Sequence, residues 1–186
     1  WKVRNLPLHS VSCNFSRLHF DRPNFTQRLA DIADRHGVPR HLLEIEITES
    51  AIMNNPDAVW VQIVQLKEMG FKTAIDDFGA GYSSLNVLKD VPFDVIKIDR
   101  GLLGSGDIAP TNKSIITSVV RLAEDLNMGV LCEGVENASQ REFLSRLGAI
   151  QAQGFLYARP MSPENFTSLL EGGKKLLPAG EEAPDA

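Results

Sequence analysis

The stretch KTAIDD at residues 72–77 decides the fold, because a run of apolar residues typical of a buried strand ends there in two aspartates. Three further stretches repeat this pattern, namely LEIEITE at 43–49, VIKID at 95–99 and VLCEGVE at 130–136. In a barrel of parallel strands, the carboxyl ends of successive strands meet at one mouth, where such barrels place their active sites. The acidic strand ends therefore predict one shared site.

Helical patterns separate these strands. Asn55, Pro56 and Asp57 combine an N-cap, a first-turn proline and a first-turn acid, and the helix that they begin is predicted to end at Gly70. Further helices are predicted from Phe25 to Gly37, from Asn112 to Asn127 and from Ser139 to Leu147. Alternating strands and helices are typical of an α/β fold with a parallel sheet.

The number of strands predicts an incomplete barrel. Six strands are predicted, at Val11–Ser16, Leu43–Thr48, Lys72–Asp76, Val95–Ile98, Val130–Glu133 and Ala149–Phe155. A closed (β/α)8 TIM-type barrel has eight strand-helix units and about 250 residues, so a chain of 186 residues predicts about six of them. We interpret residues 1–173 as part of one domain whose first strands lie upstream. Residues 174–186, rich in Gly, Pro, Ala and Glu, are predicted to be a disordered tail.

Composition argues against two broad classes of protein. A net charge of -5 argues against binding a nucleic acid polymer through a basic surface. No apolar run approaches the roughly 18 residues of a membrane span. Cys13 and Cys132 form no CxxC pair, which favours two buried free thiols in a reducing cytosol. We therefore expect a cytoplasmic domain, in a parent chain that an upstream segment could anchor to a membrane.

The polar residues at the strand ends form a set of candidate metal ligands. They are Asn14, Glu46, Asp76, Asp77 and Glu133. Carboxylates brought close together repel one another unless they are protonated or bridged by cations. Because every donor is an oxygen, without His or Cys, the set favours Mg²⁺ or Mn²⁺ over zinc. A single acid at a strand end is usually a solvated turn residue or an N-cap, but several such ends favour a metal site.

The two adjacent aspartates can act together only if the backbone departs from a regular strand. Side chains of neighbouring residues point to opposite sides of a regular strand, so Asp76 and Asp77 can bind one metal only where the backbone turns between them. Gly79 and Gly81 follow at once and permit such a turn. Two ions that share Asp76 would suit the hydrolysis of a phosphodiester.

Lys97 is the one basic residue within these strand ends. It lies between Ile96 and Ile98, so it points to the face opposite these two isoleucines. If the isoleucines pack against the outer helices, the lysine enters the barrel mouth. An ammonium there could orient a water molecule or stabilise phosphoryl charge, and the alternative is a structural salt bridge.

Six ordered motifs give the chain a family resemblance. They are VSCNFS around Asn14, EITES with Glu46 and Glu49, IDDFGAGYSSL at 75–85, KID at 97–99, CEGVE at 132–136 and QGFLYARP at 153–160. With these motifs the chain resembles the EAL domain, a family of bacterial phosphodiesterases specific for cyclic di-GMP, from about residue 10 to residue 170. The resemblance implies a modified (β/α)8 barrel that hydrolyses cyclic di-GMP to linear pGpG with two Mg²⁺ or Mn²⁺ ions.

The resemblance also implies metal ligands at individual positions. Asn14, Glu46 and Asp76 resemble the ligands of the first ion. Asp76 together with Asp77 resembles the ligands of the second ion. Glu133 matches a residue that is either a general base or a further metal ligand.

The remaining matched positions have implied catalytic or supporting roles. Lys97 matches the family lysine that contacts the nucleophilic water, and Gln153 matches the glutamine near that water. Glu49 resembles the glutamate that anchors the loop at 77–84, a loop tied to metal binding and dimerisation in the family. Glu136 resembles a support of its own loop.

Departures from the family pattern leave a second function open. The Glu-Ala-Leu signature has no counterpart in this sequence and is expected upstream, while Ala80 replaces a common threonine and Cys132 a common alanine. Every family catalytic position within the span is filled, which favours an active phosphodiesterase. The alternatives are a degenerate, non-catalytic receptor of cyclic di-GMP and an unrelated barrel with solvated acidic loops. A homodimer and an upstream GGDEF, PAS or receiver domain are further implied by the resemblance.

Overall fold

Six parallel strands form one sheet in chain order. The structure, a computed structural model, describes residues 1–80, 88, 91–148 and 150–172. The strands are Val11–Asn14 (β1), Leu43–Thr48 (β2), Lys72–Phe78 (β3), Val95–Ile98 (β4), Gly129–Cys132 (β5) and Ile150–Ala152 (β6). Each strand pairs in parallel with the next, and β1 and β6 form the two edges of the sheet within the described residues. The predicted α/β fold is confirmed as a partial barrel.

Helices connect the strands in the predicted alternation. They are Arg17–Phe20 (α1), Phe25–Arg35 (α2), Glu49–Asn54 (α3), Pro56–Glu68 (α4), Pro110–Asp125 (α5), Ala138–Arg146 (α6) and Pro163–Glu171 (α7). The predicted N-cap of α4 is confirmed, because the Asn55 side chain accepts a hydrogen bond from the Ala58 amide. No helix within the described residues has the length and apolar character needed to cross a membrane. The predicted tail at 174–186 lies outside the described residues.

Four strands have bounds that differ from the prediction, and the causes are local. The strand β1 ends at Asn14, two residues early, because the chain turns there toward α1. The strand β5 begins and ends one residue earlier than predicted, because Gly129 donates its amide to the Asp94 carbonyl and so joins the sheet. The strand β6 ends at Ala152, because the carbonyl of the next residue, Gln153, accepts from the Val135 amide in the loop that follows β5. The strand β3 runs two residues further, to Phe78, through an irregularity in its pairing with β4.

Alternation along the strands separates the apolar core from the polar mouth. Ile45 and Ile47 of β2 are almost fully buried and belong to the core that also contains Ile63 and Leu66 of α4. Since side chains alternate along a strand, Glu46 lies on the opposite face, and it is also buried. The two cysteines form no disulfide, as predicted; Cys132 is buried, whereas Cys13 is half-buried. Burial raises the pKa of the Cys132 thiol to about 12.

The loops that follow β5 and β6 are in direct backbone contact. The Val135 amide donates to the Gln153 carbonyl at 3.0 Å, and the Leu156 amide donates to the Val135 carbonyl at 3.0 Å. Gly154 lies between these bonds, and a Cβ atom there would collide with the backbone nitrogen and carbonyl oxygen of Val135. Only glycine therefore allows this approach.

Replacing Gly154 with alanine should destabilise the domain. We expect Gly154→Ala to lower the free energy of unfolding by at least about 1–3 kcal/mol, because backbone atoms cannot move aside as a flexible side chain can. Gly106→Ala is the matched control, since a Cβ atom at Gly106 meets open space. Urea unfolding followed by circular dichroism measures both. Equal stability of the two variants would contradict the close approach.

Candidate metal centre and active site

Lys97 is the centre of the polar cluster at the carboxyl ends of the strands. Its side chain is 6% exposed, and Nζ lies 2.6 Å from Glu46 Oε1, 2.9 Å from Asp76 Oδ1 and 2.8 Å from Glu133 Oε1. These carboxylates come from β2, from β3 and from the residue that follows β5. The structure therefore brings three predicted site residues together around the ammonium of a fourth, Lys97.

The electrostatics of the cluster follow from burial and mutual charge. Burial alone would lower the pKa of Lys97, but its contacts with Glu133, Glu46 and Asp76 raise that pKa above its ordinary value. Burial raises the pKa of Glu46, against the opposing effect of the Lys97 ammonium. The pKa of Asp77 is raised first by burial and then by the charges of Asp76 and Asp99. Lys97 is therefore charged at neutral pH.

A β-bulge aligns the two adjacent aspartates. Ile75 pairs with Ile96 and Phe78 pairs with Ile98, so two residues of β3 stand opposite the single residue Lys97 of β4. Asp77 has a φ of 55°, in the left-handed region that aspartate tolerates better than most residues. The backbone turn that the sequence requires is therefore made by Asp77 itself.

Gly79, one of the two glycines predicted to permit this turn, has a smaller part in it. Gly79 has a φ of 97° and lies just beyond the bulge. The other predicted glycine, at 81, lies outside the described residues.

Asp76, Asp77 and Glu133 could hold a cation together. One carboxylate oxygen from each of them lies within 4.8 Å of the others. Asp76 Oδ1 is buried and close to the Lys97 ammonium, but it accepts no hydrogen bond of good geometry from the described residues. Carboxylates that share a single ammonium keep an excess of negative charge, which a bound cation would offset. The donor set therefore fits a hard divalent cation.

Two further predicted residues lie at the edge of this cluster. Asn14 is the last residue of β1, is exposed, and stands beside Glu46 in the strand pairing. Gln153 is also exposed, and its Nε2 donates to Glu133 Oε1 at 2.8 Å. Glu133 Oε1 therefore contacts both the Lys97 ammonium and the Gln153 amide.

The two predicted loop anchors differ in their surroundings. Glu49 is buried at the start of α3. The loop at 77–84 that it is predicted to anchor lies partly outside the described residues. Glu136 is exposed, and its carboxylate has no hydrogen-bond or ion-pair partner within the described ranges. Both anchoring roles stay predictions.

Sequence reasoning missed Gln140, which joins two loops at the site. Gln140 is fully buried; its Oε1 accepts from the Glu136 and Asn137 amides, and its Nε2 donates to the Gly104 and Gly106 carbonyls. It therefore ties the loop after β4 to the loop after β5. The available signal was the spacing of Asn137 and Gln140, which form a capping box at the start of α6.

Fold and site define a barrel-type α/β protein with an acidic centre at the carboxyl ends of its strands. A model of the EAL domain family matches residues 1–160. The chain therefore belongs to the EAL domain family.

Named relatives of the chain act on cyclic di-GMP. The chain is 41% identical over 146 residues to the cyclic di-GMP phosphodiesterase RocR of Pseudomonas aeruginosa, covering 78% of the chain and 37% of RocR. It is 40% identical over 158 residues to the bifunctional diguanylate cyclase/cyclic di-GMP phosphodiesterase MucR of the same organism, covering 84% of the chain and 23% of MucR. The chain thus spans less than two fifths of the length of these curated relatives.

Solved EAL structures have the same fold. The EAL domain of Mycobacterium smegmatis DcpA superposes with a TM-score of 0.88 at 31% identity, covering 94% of this chain and 79% of that one. Klebsiella pneumoniae BlrP1, solved as a manganese and cyclic di-GMP complex, has a TM-score of 0.77 at 35% identity. That match covers 82% of this chain and 39% of the BlrP1 chain.

Removing the Lys97 ammonium should destabilise the domain in the absence of divalent cations. We expect Lys97→Met to lower the free energy of unfolding by about 3–5 kcal/mol at pH 8, because buried carboxylates then lose their counter-charge. The penalty should shrink toward pH 5, because carboxylates with raised pKa values take up protons in the folded state, which stabilises it as the pH falls.

The control for this experiment is a lysine nearer the surface. Lys67 pairs with Asp94 at 2.7 Å, and both side chains are about a third exposed. We expect Lys67→Met to cost about 1 kcal/mol or less. Urea unfolding in EDTA at both pH values makes the comparison. A similar cost for the two variants would mean that the ammonium does not hold the cluster together.

Proposed function

We propose that this chain forms the catalytic part of a metal-dependent phosphodiesterase that hydrolyses cyclic di-GMP to linear pGpG. The observation that carries the proposal is the convergence of Glu46, Asp76 and Glu133 on the Lys97 ammonium at the mouth of the partial barrel. The family membership and the names of RocR and MucR support the choice of substrate.

The proposed metal ligands are the oxygen donors of this mouth. Asn14, Glu46, Asp76 and Asp77 would hold two Mg²⁺ or Mn²⁺ ions, and Glu133 is either a further ligand or the general base. Three carboxylates contact a single ammonium and Asp77 lies beside two of them, so divalent cations would neutralise the excess negative charge. When bound, such cations lower the pKa of water and neutralise charge on a phosphoryl group.

Lys97 and Glu133 have separate parts in the proposed reaction. Lys97 holds three carboxylates in fixed positions and places a positive charge where negative charge develops on the phosphoryl oxygens. One oxygen of Glu133 is already engaged by Lys97 and Gln153, which leaves the other to accept a proton from water. Water attacks the phosphorus, the bond to one ribose oxygen breaks, and solvent returns a proton to that oxygen.

The proposal extends to the location, the oligomeric state and the neighbouring domains of the parent protein. We propose that the parent protein is a homodimer in the bacterial cytoplasm. An upstream GGDEF, PAS or receiver domain would supply regulation. The support for further domains is that RocR and MucR are much longer than the part of them that this chain matches.

Hydrolysis tests the proposal directly. Purified protein with Mn²⁺ should convert cyclic di-GMP to pGpG, detected by liquid chromatography. We expect Glu133→Gln to lower kcat by about 100- to 10,000-fold, the usual contribution of a general base. Glu142→Gln, at an exposed glutamate of α6, is the control and should leave kcat unchanged. Binding of cyclic di-GMP without turnover by the unmodified protein would favour the receptor function instead.

Cation binding can be measured without substrate. At a Mn²⁺ concentration 100 times the dissociation constant, we expect stabilisation by about 2.7 kcal/mol, which is roughly 5–10 °C in Tm for a domain of this size. Asp76→Asn should abolish this shift, because the residue belongs to the acidic cluster. Asp57→Asn, on the exposed first turn of α4, should keep it. An unchanged shift in Asp76→Asn would place the cation elsewhere.

A further inference from the structure

Glu44 is a buried carboxylate that has no part in the proposed reaction. It lies on β2 two residues before Glu46, so the two side chains leave the same face of the strand, about 6–7 Å apart along it. Glu44 is only 8% exposed. Within the described residues its carboxylate makes no ion pair, and its single hydrogen bond comes from the Ser12 hydroxyl, which lies 2.8 Å from Oε1. Glu44 is therefore a buried acid with one neutral partner.

The contact between Glu44 and Ser12 is not explained by stability. Removing a carboxylate from water costs more free energy than one hydrogen bond from a neutral hydroxyl returns. The neighbour of Glu44 on β3 is Lys72, but its side chain is exposed and makes no ion pair within the described part of the chain. The position of the contact in the sheet offers a better explanation.

The contact lies one step below the proposed metal ligands Asn14 and Glu46. In the parallel pairing of β1 with β2, Ser12 stands opposite Glu44. Two residues further along each strand, Asn14 stands opposite Glu46. Since residues two apart share a face of a strand, the Ser12 hydroxyl and the Asn14 amide lie on the same side of β1. Both pairs therefore depend on the same strand register.

The register of β1 needs such support, because β1 is an edge strand. It has four residues and pairs only with β2 within the described residues. Ser12 and Asn14 are both exposed, so burial contributes little to the register on this face. A shift of one residue would send Asn14 to the other face of the sheet. The hydrogen bond from Ser12 to Glu44 favours the observed register.

We propose that Ser12 and Glu44 are positioning residues that hold Asn14 beside Glu46, so that both can bind the same divalent cation. The inference rests on the proposed function, which assigns Asn14 and Glu46 to one ion. Neither Ser12 nor Glu44 contacts the cation in this proposal. Their effect passes through the backbone of β1, which carries Asn14. Residues that orient metal ligands in this way commonly contribute 10- to 100-fold to metal affinity.

Mn²⁺ binding without substrate tests the proposal. The dissociation constant is obtained from the electron paramagnetic resonance signal of free Mn²⁺ during titration of the purified protein. We expect Ser12→Ala to raise the Kd about 10- to 100-fold at the site that Asn14→Ala also weakens. Ser12→Thr keeps the hydroxyl and should keep the Kd. Ser114→Ala is the control, since that exposed hydroxyl bonds only to the backbone of its own helix.

A double-mutant cycle separates positioning from a direct effect on Glu46. Burial raises the pKa of Glu46, and hydrogen bonding from Lys97 and from Ser12 opposes this rise, so the Ser12 hydroxyl could also act on Glu46 itself. In the Asn14→Ala background, we expect Ser12→Ala to cause no further loss of Mn²⁺ affinity, because the positioned ligand is gone. An equal loss in both backgrounds would overturn the proposal.

Two replacements of similar length test the part of Glu44. Glu44→Gln keeps an oxygen that accepts from the Ser12 hydroxyl, whereas Glu44→Met has no such acceptor. We expect Glu44→Gln to keep most of the Mn²⁺ affinity and Glu44→Met to lose about as much as Ser12→Ala. If both variants lose the same affinity, Glu44 acts through its charge, and its positioning role is overturned.

The outcome for this pair is separate from the outcome for catalysis. Hydrolysis of cyclic di-GMP in Mn²⁺ is measured on the same protein preparations. If the unmodified protein binds Mn²⁺ with the expected coupling of Ser12 to Asn14 but does not hydrolyse, the phosphodiesterase proposal fails and the positioning pair stands. If it hydrolyses and Ser12→Ala leaves the Kd of Mn²⁺ unchanged, the positioning pair fails alone. Absence of Mn²⁺ binding by the unmodified protein would overturn both.

Discussion

The Lys97 ammonium is the contact on which the rest of the mouth depends. Glu46, Asp76 and Glu133 repel one another, and each belongs to a different part of the sheet. A single buried cation between them offsets that repulsion before any metal ion arrives. Because Lys97 lies on the strand between β3 and β5, it can reach carboxylates on both sides of itself. The proposed catalytic centre and the stability of the sheet therefore depend on the same charges.

The β-bulge in β3 brings the carboxylates of Asp76 and Asp77 close together. A regular strand would send Asp76 and Asp77 to opposite faces, and one of them would enter the apolar layer. The extra residue opposite Lys97 avoids this, and it requires the left-handed conformation at Asp77. Such a conformation is strained for most side chains. The strain is located at a position where the proposed chemistry needs two neighbouring carboxylates, as is common at functional sites.

Parts of the fold that depend on local pattern were predictable from the sequence. The strands Leu43–Thr48 and Val95–Ile98 have the predicted bounds, because their isoleucine spacing matches a strand buried on one face. The same alternation predicted that Lys97 would point away from the isoleucines and into the mouth.

Features that depend on tertiary contacts could not be predicted in the same way. The bulge at Asp77 is defined by the pairing of β3 with β4. A prediction from the alternation of side chains assumes a regular strand and cannot show it. Helix α7 was not predicted, and none of its residues is buried. In the sequence, Gln140 resembles any other polar helix residue. Its four hydrogen-bond partners lie on two loops that only the fold brings beside it.

The hydrogen bonds of Gln140 and Val135 also bear on how the mouth can move. They join the loops after β4, β5 and β6 into one block, so opening any one of them requires breaking bonds to another. Local unfolding on this side should therefore be cooperative and rare, with amide protons that exchange slowly and together. A regulatory signal from another domain would then act most easily through the opposite rim, where β2 passes directly into α3. The side of the mouth formed by the loops after β4, β5 and β6 would then stay rigid, while the side at the junction of β2 and α3 would change conformation.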